Sequence, residues 1–307
     1  MRPTDKKAFL LRASLGLFLS FLSYTTAFTQ PELPAKKVDR NVIYGMYSGL
    51  ALLLDVYYPE NPNGLGVIHI SGSGWTKPLG LDAGLLNHQG HVKLECAALV
   101  EAGYTIFSIN HRALPRFPYP AAVEDAQRAV RFIRYHAEKY KIDPNRIGAV
   151  GGSSGGHLVS MLGTLDGTGD PTDESPINQV SAKVQCVVAR AAPTSFLEGG
   201  VGMFFLNVRD GALKNPKSIE YKRAQEASPI TYVSADDAPF LLLHGDKDDV
   251  VPFKLSEMME AALQQVEVPV RLLNVKGAGH GPSFKGAIDP PDLDQERLNW
   301  LNQHLKP

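Results

Sequence analysis

The sequence predicts an α/β protein, with a mostly parallel central sheet and helices on both of its faces. Three observations carry that prediction. Short, almost wholly apolar runs recur along the chain, such as "GVIHIS" (66–71), "YTIFSIN" (104–110) and "VQCVVARAA" (184–192), as strands buried on both faces require. Amphipathic segments of helical period separate them, and such alternation implies parallel pairing. Composition is ordinary for a globular chain: 307 residues, 44% hydrophobic and 21% charged.

The elements follow in order. Residues 1–30 begin with a basic stretch (Arg2, Lys6, Lys7, Arg12), continue with the apolar "ASLGLFLSFLSY" and reach small residues near Ala27. That pattern describes a secretory signal peptide and predicts a secreted or periplasmic protein; the apolar run is short for a membrane span, and an uncleaved anchor is the rival reading. Residues 31–307 then form the folded domain. "LALLLDVYYP" (50–59) alternates as a strand and stops at Pro59, and "GVIHIS" follows as the next strand. "VKLECAALVEAG" (92–103) reads as a helix closed by Gly103, before the strand "YTIFSIN". In "AAVEDAQRAVRFIRYHAEKY" (121–140), Val123, Ala126, Val130, Ile133, Ala137 and Tyr140 form one stripe at three- and four-residue steps, which predicts a single helix. Strands at 146–151, 184–192, 238–245 and 270–277 alternate with helices beginning near 157, at 254–266 and at 294–305. The long connection 193–235, rich in glycine and apolar residues at its start, is expected to form a small cap insertion, or else an extra core helix.

Charge narrows the function classes. Lys+Arg total 31 against Asp+Glu 32, a net charge of −1 with no long run of one sign, so no nucleic-acid footprint is present. Cys96 and Cys186 are far apart, lack metal spacing, and read as buried apolar residues rather than a disulfide.

The chemistry concentrates in three loops that follow strands. "VGGSSGGHLV" (150–159) contains G-x-S-x-G twice, once around Ser153 and once around Ser154, between a strand and a helix. A nucleophile elbow needs that setting, because flanking glycines permit a tight turn that exposes the side chain above the sheet. "LLLHGDKDDVVP" (241–252) places Asp246, Asp248 and Asp249 just after a strand, and "VKGAGHGPS" (275–283) places His280 after the next. In a parallel sheet such loops gather at one edge, and the order Ser, acid, His suits a nucleophilic triad. "HISGSGW" (69–75) supplies a Gly-rich loop whose N–H groups suit a developing oxyanion.

These pieces, with "LLLDVYYP", "YPAAVEDAQRAVRFIR" and "IDPNRIGAVGGSSGGHL", keep family order over most of residues 40–285. The chain resembles the α/β-hydrolase superfamily, and within it secreted carboxylesterases related to acetylxylan and feruloyl esterases and to the hormone-sensitive-lipase-like group. The resemblance implies an α/β-hydrolase fold. Relatives usually read G-x-S-A-G-G-H-L at the elbow, which places Ser153 as nucleophile and Ser154 on the alanine, its backbone N–H serving the oxyanion hole. The pattern H-G-x-x-D-x-x-V-P selects Asp248 as the acid, with Asp246 and Asp249 as solvated turn residues. His157 and Asp125 fall on structural positions. Relatives usually carry H-G-G-G-W at the oxyanion loop, whereas Ser71 and Ser73 stand here in place of the histidine and a glycine. Ser73 and Gly74 remain the expected donors, with a cost of about 1–2 kcal/mol if Ser73 must take a positive φ. Trp75 is expected either to line the leaving-group side or to pack beside the loop.

The resemblance implies a carboxylesterase acting on small-molecule or carbohydrate esters with short acyl groups, without a metal or organic cofactor, a nucleic-acid partner or, after processing, a stable membrane span. A serine peptidase of the same fold and a non-catalytic binding member are the alternatives.

Overall fold

Val67, Ile68, Ile106, Phe107, Val187, Val188, Leu241 and Leu242 are all buried, and neighbours along a strand point to opposite sides. Ile68, Phe107, Val187 and Leu242 enter one apolar cluster, and Val67, Ile106, Val188 and Leu241 enter another. The two clusters are the two faces of one sheet. A computed structural model describes residues 33–198, 201–208 and 212–306, so the leader expected at 1–30 lies outside the described residues.

The sheet has eight strands: β1 (Lys37–Tyr47), β2 (Leu50–Tyr58), β3 (Gly66–Ile70), β4 (Thr105–Ile109), β5 (Ile147–Gly152), β6 (Cys186–Arg190), β7 (Phe240–Gly245) and β8 (Val270–Val275). Their order across the sheet is β1-β2-β4-β3-β5-β6-β7-β8. β1 pairs antiparallel with β2, and β2 antiparallel with β4; every later pairing is parallel. The parallel strands β3 to β7 are buried along their whole length, which is why they read as unbroken apolar runs.

The helices are α1 (His91–Glu101), α2 (Ala121–Tyr135), α3 (Ala137–Tyr140), α4 (Ser154–Thr164), α5 (Met203–Leu206), α6 (Ile219–Glu226), α7 (Lys254–Gln265) and α8 (Leu293–Leu305). α1 and α8 cover one face through Cys96, Leu99, Trp300 and Leu301, while α2, α4 and α7 cover the other through Val130, Ile133, Leu158 and Met259. The single helix expected over 121–140 is two: the chain breaks at His136 (φ −101°, ψ 19°), yet the whole stripe from Val123 to Tyr140 stays buried. Cys96 and Cys186 are buried and free. Between β6 and β7 the connection builds α5, α6 and two short 3-10 turns (Ala212–Lys214 and Pro229–Tyr232), the expected small cap. Among the described residues, no helix is long and apolar enough to cross a membrane.

Candidate active site

The site stands at the carboxyl ends of β3, β5, β7 and β8. β5 ends in the elbow, where Ser153 takes φ 55° and ψ −124° before α4 begins at Ser154. A non-glycine residue pays for a left-handed φ, so the surroundings must hold it. They do: the Ser153 N–H donates to the Arg190 carbonyl at 2.7 Å, and the His157 N–H donates to the Ser153 carbonyl at 2.9 Å. Gly155 is required by close approach, since a Cβ there would sit 1.9 Å from the Ile70 carbonyl oxygen.

His280 bridges to both expected partners. Its Nδ1–H donates to Asp248 Oδ2 at 2.7 Å, and the Ser153 hydroxyl lies 3.0 Å from its Nε2. A carboxylate only accepts, so the proton sits on Nδ1 and Nε2 is free to accept from Ser153. Asp248 Oδ1 accepts the N–H groups of Val250 (2.9 Å) and Val251 (2.8 Å). The imidazole of His244 adds a contact of 3.2 Å to Oδ2. Burial alone would raise the Asp248 carboxyl; these hydrogen bonds outweigh it and hold the group well below the usual carboxylate range. Asp246 instead accepts the Gly277 N–H at 2.8 Å, tying the loop after β7 to the loop after β8, and Asp249 is exposed.

The oxyanion loop differs from the expectation in two ways. Ser73 has no left-handed φ; Gly74 (61°) and Trp75 (55°) carry it. The Ser73 N–H is also engaged, donating to the Ser154 hydroxyl at 2.8 Å. The Gly72 N–H is engaged as well, donating to His91 Nδ1 at 3.1 Å. Among the described residues, the N–H groups of Gly74 and Ser154 have no acceptor.

Trp75 is 3% exposed and does not line an open leaving-group side. Its ring stacks on Phe205 with centroids 4.5 Å apart, and its Nε1–H donates to His157 Nδ1 at 3.1 Å. His157 in turn donates from Nε2 to the Ala227 carbonyl at 2.8 Å, which joins α4 to the cap. Phe204, on α5, meets solvent instead: it is 56% exposed, and its ring tip lies 3.9 Å from where a Gly74 Cβ would be. Asp125 is a structural anchor, accepting the Arg112 N–H at 2.7 Å and its Nε–H at 2.9 Å.

Sequence reasoning missed the support beneath the elbow. Glu95 on α1 accepts from Arg190 Nε at 2.7 Å and lies 2.9 Å from His69 Nε2, all three side chains being buried. Burial would raise the Glu95 carboxyl, but Arg190 and His69 outweigh it and keep it low. His91, one turn earlier, is pushed down to about 4, chiefly by burial, with Arg190 among the charges that oppose its protonation. The only sequence signal for these residues is placement: His69 sits within a buried apolar strand, and Glu95 interrupts an apolar helix face.

Comparison with known proteins agrees with this architecture. The family model BD-FAE matches residues 54–263. Probable carboxylic ester hydrolase LipM of Mycobacterium tuberculosis is 29% identical over 235 residues, covering 74% of this chain and 52% of LipM. Esterase LipC of the same organism is 29% identical over 285 residues, covering 86% of this chain and 64% of LipC. The chain thus spans less than two thirds of these curated relatives. A truncated form of carbohydrate esterase from gut microbiota superposes with a TM-score of 0.72 at 25% identity, covering 91% of this chain and 100% of that one. An acetyl ester-xyloside bifunctional hydrolase from Caldicellulosiruptor lactoaceticus gives a TM-score of 0.67 at 26% identity, covering 81% and 89%. With the family model matched across most of the sheet and the elbow, the chain belongs to the BD-FAE family of the α/β-hydrolase superfamily.

Proposed function

We propose that this chain is a serine carboxylic-ester hydrolase with Ser153 as nucleophile, His280 as general base and acid, and Asp248 as the group that orients His280. The observation that carries the reading is the continuous hydrogen-bond chain Ser153–His280–Asp248 on a strained elbow at a helix N-terminus. Ser153 Oγ attacks the ester carbonyl while its proton passes to His280 Nε2. Asp248 stabilises the imidazolium that results. The carbonyl oxygen becomes an anion and is held by the N–H groups of Gly74 and Ser154 and the dipole of α4. His280 returns its proton to the departing alkoxide, which leaves as the alcohol. Water then attacks the acyl-enzyme by the same steps, releasing the acid and restoring the Ser153 hydroxyl.

The substrate proposed is a short-acyl ester, acetyl to butyryl, with acetylated or feruloylated carbohydrate as the natural class. Support comes from the small cap, in which Phe205 is committed to the core and Phe204 alone of the two meets solvent beside Gly74. It also comes from likeness to proteins described as a carbohydrate esterase and an acetyl ester-xyloside hydrolase. Residues 1–30 support export as a further part of this reading. The test is kcat/KM on p-nitrophenyl esters of increasing acyl length, with acetate and ferulate release from xylan fragments. A maximum at long chains overturns the short-acyl reading; turnover of aminoacyl anilides in place of esters makes the protein a peptidase.

A further inference from the structure

The geometry points to a second binding site, for the carboxylate of an acidic sugar on the substrate, in the cavity between the oxyanion loop's continuation and the loop after β4. It rests on the ester-hydrolase reading for its substrate, though not for its ligand chemistry. The cavity is about 510 Å³, and Lys77, Arg112 and Arg116 are in its wall with no acidic side chain among the lining residues. The neighbouring cavity, which shares Arg112, sets Glu124, Asp125, Asp170 and Asp173 among its arginines. Arg112 is already neutralised by Asp125 and Glu124. Lys77 and Arg116 are not: among the described residues, neither side chain has an ion-pair or hydrogen-bond partner. Lys77 is half-buried, and leaving an ammonium partly desolvated without a partner is costly unless a ligand supplies the counter-charge.

The rest of the wall suits a sugar better than a bare anion. His111 is 3% exposed, and its Nδ1–H donates to the Arg112 carbonyl at 2.8 Å. Nε2 is then a bare acceptor, closed to solvent and without a partner, an unmet polar atom behind the cavity wall. Leu79 (70% exposed) and Leu81 at the rim offer apolar surface to a ring's C–H face. The cavity is tethered to the reaction centre. The Leu114 N–H donates to the Trp75 carbonyl at 2.8 Å and the Lys77 N–H to the Leu114 carbonyl at 2.9 Å. Four chain steps separate Lys77 from Ser73, so their Cα atoms are at most about 14 Å apart. A substrate that spans this distance would present an acyl group to Ser153 and a uronate to this cavity.

The experiment compares acetylated xylo-oligosaccharides that carry a glucuronic acid branch with the same molecules after reduction of the carboxyl group. The wild type is expected to favour the acidic form by at least about tenfold in kcat/KM, as charge-assisted hydrogen bonds allow, and to lose that preference as salt rises. Lys77→Ala and Arg116→Ala should bring the ratio towards one, while Lys77→Arg and Arg116→Lys keep it. Equal rates on both forms, or a preference that survives both alanine substitutions, overturns the site. Calorimetry on Ser153→Ala protein measures binding of the acidic oligosaccharide without turnover, so the site can stand if the ester-hydrolase reading falls. Inorganic phosphate binding as tightly as the oligosaccharide would make this a plain anion site and defeat the sugar proposal.

Discussion

The Ser73 N–H donates to the Ser154 hydroxyl at 2.8 Å, so the proposed oxyanion loop and the residue after the proposed nucleophile hold each other. Ser154→Ala removes the acceptor and keeps the backbone N–H that the proposed oxyanion hole uses. A neutral hydrogen bond is worth about 0.5–1.5 kcal/mol, so kcat/KM on p-nitrophenyl acetate should fall by no more than about tenfold. Ser153→Ala removes the proposed nucleophile and should lose at least about three orders of magnitude. Circular dichroism checks that both variants fold. An active Ser153→Ala beside a dead Ser154→Ala would reverse the assignment.

His91 reaches the same loop from a different element, accepting the Gly72 N–H. Replacing it with alanine frees that N–H and lets the loop drift from the elbow. The expected result is a fall in kcat of about tenfold with KM little changed, because a loop proposed to bind the oxyanion would act mainly in the transition state. His91→Gln retains an acceptor and should recover part of kcat. A rise in KM alone would place His91 in ground-state binding instead.

His157 makes stability depend on pH. Burial pushes its imidazole down to about 4, with the Ala227 carbonyl pulling weakly the other way. The folded value is depressed below the unfolded value of about 6.5, so the neutral form favours the fold. That contribution is complete above the unfolded value and is lost as pH falls from about 6.5 to about 4, a loss of about 3 kcal/mol. Protonation would put a second N–H against the Trp75 Nε1–H and break the tie between loop and cap. Urea midpoints measured across that window should fall for the wild type, and fall less for His157→Gln. Parallel slopes would show that His157 is not the titrating group.

Trp75→Ala should destabilise strongly. The ring packs against Phe205, Phe196 and His157, and truncating a buried aromatic costs about 3–5 kcal/mol. Trp75 also sits at φ 55°, a strain of about 1–2 kcal/mol that this packing helps to sustain, together with the Leu114 N–H bond to its carbonyl. Thermal unfolding reads the effect; a change below about 1 kcal/mol would show that the aromatic cluster contributes little.

The strands from β3 to β7 could be read because burial on both faces leaves unbroken apolar runs, and β2 because its apolar residues alternate before Pro59. β1 could not. Its register slips between Asp39 and Val42 and again between Ile43 and Gly45, which destroys the alternation that marks a strand. Ser153, Asp248 and His280 were legible because each follows a strand in a loop of small or polar residues. Asp246 and Asp249 share that setting, and only distance separates them from Asp248. The Ser154 hydroxyl, His91 and the Glu95–Arg190 pair depend on approaches between segments distant in sequence, which periodicity does not encode. The sequence leaves Trp75 open between its two readings because a tryptophan beside a glycine loop gives no sign of which way its ring turns; the packing reading is the one the structure shows.

β8 is the last strand of the sheet, paired on one side to β7 alone, and the loop that carries His280 hangs from it. Ser153, by contrast, leaves β5, which is flanked by β3 and β6. Margins of a sheet open at lower cost than its interior, so the two halves of the proposed relay are anchored in regions of unequal endurance. Fraying of the outer strand would carry the imidazole away while the interior stays folded. On gradual heating, this protein is expected to lose its chemistry before it loses its shape, with amides of β8 exchanging their hydrogens ahead of those in β5.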